Sequence, residues 1–528
     1  MVDTQPELIA HHYTEAGLGA EAISHWQRAG ERALHRWANV EALSHLKRGL
    51  ELLGSLPDAP DGHRPARDAQ RYSLLLALGK AQWLASEFFE ARETLRHAAA
   101  AASSLGSWEG LVRVALELVY ITHLFGLPAP EAVLLLEQAL PQLGAEDSPL
   151  KASALGGLAR YLGYTGEREK LMVYAPQAIA MARRLGDPEL ISYSLLGMFY
   201  SLIGPEHAEE RLAMATEMLE LAQAANAILQ ATHGMYWRVY CLLELGEMAE
   251  ADAQIDVWER ASQELNSPFH FLLIAVSRTM QALTRGRFDD CELLAQQAFE
   301  IGQRLQIENA SGLYGLQMFA LRREQGRLKE VEPLIRVFLQ EYSAAAAWRP
   351  GLAVIYSELG RTADARAEFE KLAEHDFADL PRDAVWMGTM TYMVDICTFL
   401  EDRARAELLY QILLPFAGRN TVFSGAAVCY GALSRYLGAL AATLERWDEA
   451  VRHFEDAIAM NARMQARPWL AHTQYQYAAM LLARNQSGDR DKAAALLDAA
   501  LATARELGMH ALDERITAAI NRIKPDLH

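Results

Sequence analysis

Residues Gly431–Ala457 read GALSRYLGALAATLERWDEAVRHFEDA, and the spacing within this stretch decides the fold. Leu437, the small Gly438 and Ala441 share one face of a helix. A short break follows at Glu445 and Arg446, after which Trp447, Ala450, Phe454 and Ala457 recur at steps of three and four, the period of a second helix. Two facing stripes, with small residues where the backbones must approach, predict an antiparallel helical hairpin.

The register returns elsewhere. Ile9, Ala10, Tyr13, Gly17, Ala22, Trp26 and Ala29 carry it near the start. Leu78, Gly79, Phe88, Ala91, Leu95 and Ala98 carry it again, as do Leu352, Ala353, Tyr356, Gly360, Ala365 and Phe369. The spacing resembles the tetratricopeptide repeat, a helix-turn-helix unit that stacks into solenoids. The expected fold class is therefore all-α: an α-α superhelix of about 12 helical hairpins with a period of roughly 34 to 44 residues.

Composition agrees with an all-helical chain. Of 528 residues, 51% are apolar; Ala, Leu, Glu and Arg dominate, and strand-favouring runs are absent. A chain of this length would ordinarily split into several globular domains, but repeats pack only on their neighbours and can form one continuous body. The net charge of −18 opposes a broad phosphate-binding surface, so no nucleic-acid partner is expected. Cys241, Cys291, Cys397 and Cys429 are far apart in sequence and form no CxxC pair; they read as small core residues in a reducing compartment. No basic region followed by an apolar run opens the chain, and no run approaches the length of a membrane span. The expectation is a soluble, cytoplasmic protein with no membrane association.

Chemistry-bearing motifs are missing. Gly79-Lys80 is followed by Ala81 and lacks the earlier glycine of a phosphate loop, and there is no HExxH, GxSxG or dinucleotide fingerprint. His11 and His12 point about 100° apart on a helix and cannot readily chelate one metal. No catalytic residue, metal site or cofactor is expected.

The chain divides by pattern into an N-terminal hairpin with an extra helix over 1–55, a Pro- and Gly-rich loop or joint over 56–70, and repeats over 71–144. Longer repeats follow over 145–345, then repeats over 346–509, then a capping helix over 510–528. In the long-period part, Gly166, Gly246, Gly286 and Gly326 stand 80, 40 and 40 apart, with Gly204-Pro205 close to the missing step, and interleave with Gly186, Asn226, Asn266 and Gln306, which advance by 40 each time. This punctuation predicts alternating helices closed by left-handed turns.

A solenoid binds along the concave wall made by its first helices. Aligned by the 40-residue step, one column reads Arg160, Tyr200, Tyr240, Met280 and Ala320; Tyr193 and His233 fall in another and Tyr236 in a third. Aromatic, Met and Arg groups suit a groove for a protein segment or small effector. The same residues at helical spacing also suit core, and both readings stand open. Arg238 and Arg278 occupy equivalent positions where Leu158 and Met318 stand in neighbouring repeats. There a charge needs either a carboxylate partner or a bound anion.

The opening PELIAHHYTEAG (6–17) with AISHWQRAGERAL (22–34), and the closing RWDEAVRHFEDAIAMNARMQARPWLAHTQYQYAAMLLA (446–483), resemble the C-terminal parts of large bacterial signalling proteins. In those proteins a class III adenylate/guanylate cyclase domain, or a LuxR-type DNA-binding domain, is joined to a STAND-like ATPase and a helical-repeat sensor. The resemblance spans essentially the whole chain but only that sensor; the cyclase's metal-binding aspartates and the ATPase's phosphate loop are missing from it. It implies a regulatory part, excised from or adjoining an N-terminal ATPase or cyclase module, with no activity of its own. The Lys/Asn-rich carboxylate clamp of chaperone adaptors is absent from the columns. Two alternatives accompany this reading: a regulatory region described by the cyclase or ATPase activity of its parent, and a scaffold for self-association.

Overall fold

The computed structural model describes residues 5–57, 64–125, 128–307, 310–333, 335–336, 349–380, 382–423 and 425–523. The Gly431–Ala457 stretch folds as its spacing demands, with helices Leu433–Thr443 and Trp447–Arg463 joined through Glu445 in the left-handed conformation. Gly438 is the point of closest approach, because a Cβ there would sit 2.9 Å from the buried ring of Phe454. A Gly438→Val variant should lose about 1–3 kcal/mol through overpacking; urea unfolding checks it, and unchanged stability would show that the interface yields.

The same hairpin recurs along the chain as antiparallel helix pairs, each packed on the next. Gly166, Gly246, Gly286 and Gly326 hold φ of 80°, 76°, 77° and 72°, and Gly186, Asn226, Asn266 and Gln306 hold 69°, 54°, 49° and 53°. Most of these turns return an N–H to a carbonyl five residues back, as in Glu247 to Leu242 and Arg287 to Ala282, both at 2.9 Å. The 40-residue punctuation is thus a series of left-handed helix ends, where glycine and asparagine carry little steric cost.

Alternate helices form an inner wall: Gly19–His35, Arg64–Leu84, Trp108–Phe125, Pro149–Tyr164, Pro188–Ser201, Ile228–Glu244, Pro268–Thr284 and Ala310–Glu324. The helices between them lie outside. All four cysteines are buried and unpaired with one another; burial pushes the thiols of Cys241, Cys291 and Cys397 up to about 12, which keeps them unreactive. Among the described residues no helix is long and apolar enough to cross a membrane.

Three local expectations need correction. The 56–70 joint is shorter than the sequence suggests, because a helix already starts at Arg64 with Pro65 in its first turn, where proline's missing N–H costs nothing. Residues 58–63 of that joint lie outside the described part, as do parts of the 145–345 and 346–509 segments. Strands are also present. β1 (Asn420–Phe423) pairs antiparallel with β2 (Val428–Ala432); at four and five residues both are too short for periodicity to separate from helix.

Every residue of both strands is buried, because the β-hairpin sits inside the array. On one side Asn420 Nδ2 donates to Leu243 O at 2.8 Å, Tyr236 Oη donates to Gly425 O at 3.2 Å, and Gln317 Nε2 donates to Ala427 O at 3.0 Å. On the other, Tyr430 hydrogen-bonds Tyr392 and packs edge-on against Trp469, with ring centroids 5.4 Å apart. The final helices then run beside the middle repeats: Gly246 abuts Met460, Gly286 abuts Leu507 and Gly326 abuts Ala511. The third correction concerns the last helix, His510–Ile523, expected as a cap, which docks sideways on a middle turn where Ala511 meets Gly326.

Candidate functional site

The β-hairpin sits in the interior of the middle and later repeats, and in the first half the inner wall opens into a groove. There six successive inner helices surround a cavity of about 1070 Å³ whose lining runs from Gln27 to Gln230. Helical spacing selects the lining: Tyr72, Leu76, Lys80 and Leu84 stand four apart on one helix, and Glu109, Arg113, Leu116 and Tyr120 at steps of three and four on the next. Aromatic groups form part of the wall, with Trp37, Tyr72, Tyr120 and Tyr193. Trp83 backs Tyr120 in a parallel stack with centroids 5.4 Å apart.

The column residues separate sharply by position. Tyr193 lines the groove, although only 7% of its surface is exposed. Arg160 lies just behind it, fully buried, its guanidinium 4.7 Å from the Tyr120 ring centroid and 4.8 Å from that of Tyr193. These cation–π contacts take the place of a carboxylate, and Nε and one terminal nitrogen of Arg160 make no hydrogen bond. Tyr200, Tyr236 and Tyr240 do not face open space; they cluster around Trp237 with centroids 5.6, 4.9 and 6.0 Å from it. Burial pushes the Tyr236 phenol up to about 12. His233 is buried 6.1 Å from His270, whose imidazole burial pushes down to about 3. Met280 is wholly buried in the core that also holds Val422, Cys429 and Tyr430.

The 40-residue columns therefore mark equivalent inner-wall positions, and the chain's own hairpin covers the later ones. Tyr240→Ala should cost about 3–5 kcal/mol of stability, as for other large buried aromatics. Thermal unfolding tests this, and an unchanged transition would return Tyr240 to the set of surface anchors. Sequence reading did not single out Trp37, Tyr72, Glu109, Arg113 or Tyr120, because the regular step on which columns were aligned begins only near residue 145, nor Glu189, which falls outside the aligned columns.

Arg238 and Arg278 have partners of their own. Arg238 donates to Gln254 at 2.8 Å and lies 3.5 Å from Glu250; Arg278 reaches Asp256 and Glu259, both at 2.6 Å. The small cavity beside Arg278, of about 520 Å³, is lined by these carboxylates, Asp252 and further arginines, so charges there already compensate one another. Because the pair is partly solvated, Arg278→Met should change stability by no more than about 1 kcal/mol. Among the described residues no group of three or more His, Cys, Asp or Glu is placed to hold a metal ion.

No family model matches the chain, and no curated protein matches it. Solved structures resemble it only distantly. A Rap protein complexed with Competence and Sporulation Factor is 14% identical, with a TM-score of 0.44, covering 67% of this chain and 97% of the other. Aspartyl phosphate phosphatase F from Bacillus subtilis is 13% identical, with a TM-score of 0.39 and coverages of 67% and 93%. Yeast Tom70 is 14% identical, with a TM-score of 0.32 and coverages of 92% and 97%. Likeness this distant carries no argument about partner or activity, and the fold rests on the helix pairs themselves.

Proposed function

We propose that the chain is a non-enzymatic interaction and sensor module, and that its working surface is the groove along the first six inner helices. The observation that carries this reading is the cavity of about 1070 Å³ lined by side chains from Gln27 to Gln230, at the upper end of pocket sizes for small molecules and long in one direction. A protein segment suits that shape better than a compact effector. The regulatory role within a larger bacterial signalling protein, next to an ATPase or cyclase module, rests on the sequence resemblance alone.

Placing the photoreactive benzoylphenylalanine at Leu76 in the groove, and separately at Leu293 on the exposed outer face, tests the reading. Peptides from a random-sequence pool should crosslink at position 76 and not at 293. Equal labelling at both would remove the groove as a distinct surface. Nucleotide-cyclase or ATPase turnover by this polypeptide alone would overturn the non-enzymatic assignment.

A further inference from the structure

The charges lining the groove are unbalanced. Glu31, Glu109, Glu117, Asp187 and Glu189 face it, against Lys80 and Arg113. Elsewhere in the same repeats, acids and bases find one another across neighbouring helices: Arg92 with Glu131 at 2.9 Å, Arg183 with Glu217 at 3.0 Å, Arg184 with Asp147 at 2.6 Å. Three of the groove carboxylates have neutral partners. Glu31 accepts from Gln27, Glu117 accepts from Trp83 Nε1 at 2.7 Å, and Asp187 accepts from the Leu190 N–H at the start of its own helix. The Glu189 carboxyl is pushed up by crowding between the groove walls, with Asp187 adding to the rise and Lys80 opposing it.

The same lining carries Tyr72, whose ring offers an electron-rich surface to a cation. The net charge of −18 adds long-range attraction of the same sign.

We propose that the occupant of this groove is an extended protein segment carrying lysine or arginine side chains, which would pair with the unmatched carboxylates. This rests on the groove being the working surface and goes further by fixing the chemistry of the partner.

The test uses fluorescence anisotropy with a short labelled peptide alternating arginine with alanine, and a matched peptide alternating serine with alanine, at physiological ionic strength. The variant Glu109→Gln/Glu117→Gln/Glu189→Gln keeps an acceptor for Trp83, and its circular dichroism melt should match that of the parent. If the triple variant does not fold, Glu109→Gln alone, at an exposed position, replaces it. The arginine peptide should bind the triple variant roughly tenfold or more weakly than the parent, as loss of close charge pairing predicts. The control Glu220→Gln/Glu264→Gln, on the outer helices, should bind it unchanged. Equal weakening by both sets of substitutions would mean diffuse attraction to an acidic protein and would overturn the proposal. If the serine peptide binds as tightly as the arginine peptide and crosslinks at position 76, the groove stands and its cationic preference falls. If neither peptide crosslinks there, both fall.

Discussion

Replacing Arg323 with Met should lower the unfolding free energy by about 3–5 kcal/mol, the cost of leaving buried carboxylates without their cation. Arg323 reaches Glu358 at 2.8 Å and Asp395 at 2.7 Å, and all three side chains are nearly closed to solvent. These residues stand on helices Ala310–Glu324, Arg349–Glu358 and Trp386–Phe399, so one guanidinium ties three inner helices together. Arg515 of the last helix approaches Glu358 at 3.2 Å and extends the tie to the end of the chain.

Burial alone would raise the Glu358 carboxyl, but Arg515 and Arg323 outweigh it and hold it down to about 2, from an ordinary 4.5. The sign follows directly. The folded state binds this proton less readily than the unfolded one, so its contribution is complete above about pH 4.5 and is lost as pH falls toward 2. Equilibrium urea unfolding along this acid range should show stability falling in the parent and falling less steeply in Arg323→Met. Parallel curves would show that this carboxylate is not the group responsible.

Tyr430→Ala should be as damaging, at about 3–5 kcal/mol, because it empties a large buried site. The ring is fully buried between Trp469 and Tyr392, and its loss leaves the Tyr392 hydroxyl without its partner. The distribution of the effect matters more than its size. β1 and β2 join the inner helices of residues 228–324 to the later repeats, so amide exchange should quicken in both blocks together while residues 19–125 keep their protection. A uniform change along the chain, or one confined to the hairpin, would show that the strands do not couple the two blocks.

The helix pairs were legible because each rests on local signals: Gly438 opposite Phe454, and a glycine or asparagine at many of the left-handed helix ends. The inner face was legible too, since Tyr200, Tyr240 and Met280 do share equivalent positions along the wall. What covers that face was not. The contacts that decide it join Tyr236 to Gly425 and Gln317 to Ala427, far apart in sequence, and no period of about 40 residues reports them. The short strands gave no warning either, since Val422-Phe423 and Val428-Cys429-Tyr430 suit a buried helix equally well. Arg278 was read correctly as needing a partner, because a cation at an otherwise apolar repeat position must find compensation nearby.

The abutting turns at Gly246, Gly286 and Gly326 set a limit on how this molecule can vary. A linear stack tolerates the loss or gain of a whole unit, since each module knows only its neighbours. Here the pitch must carry Met460, Leu507 and Ala511 back to those three glycines, and deleting a single unit between them would shift every later one out of alignment. Length polymorphism should therefore be rarer between Gly246 and Gly326 than in the modules before Gly204.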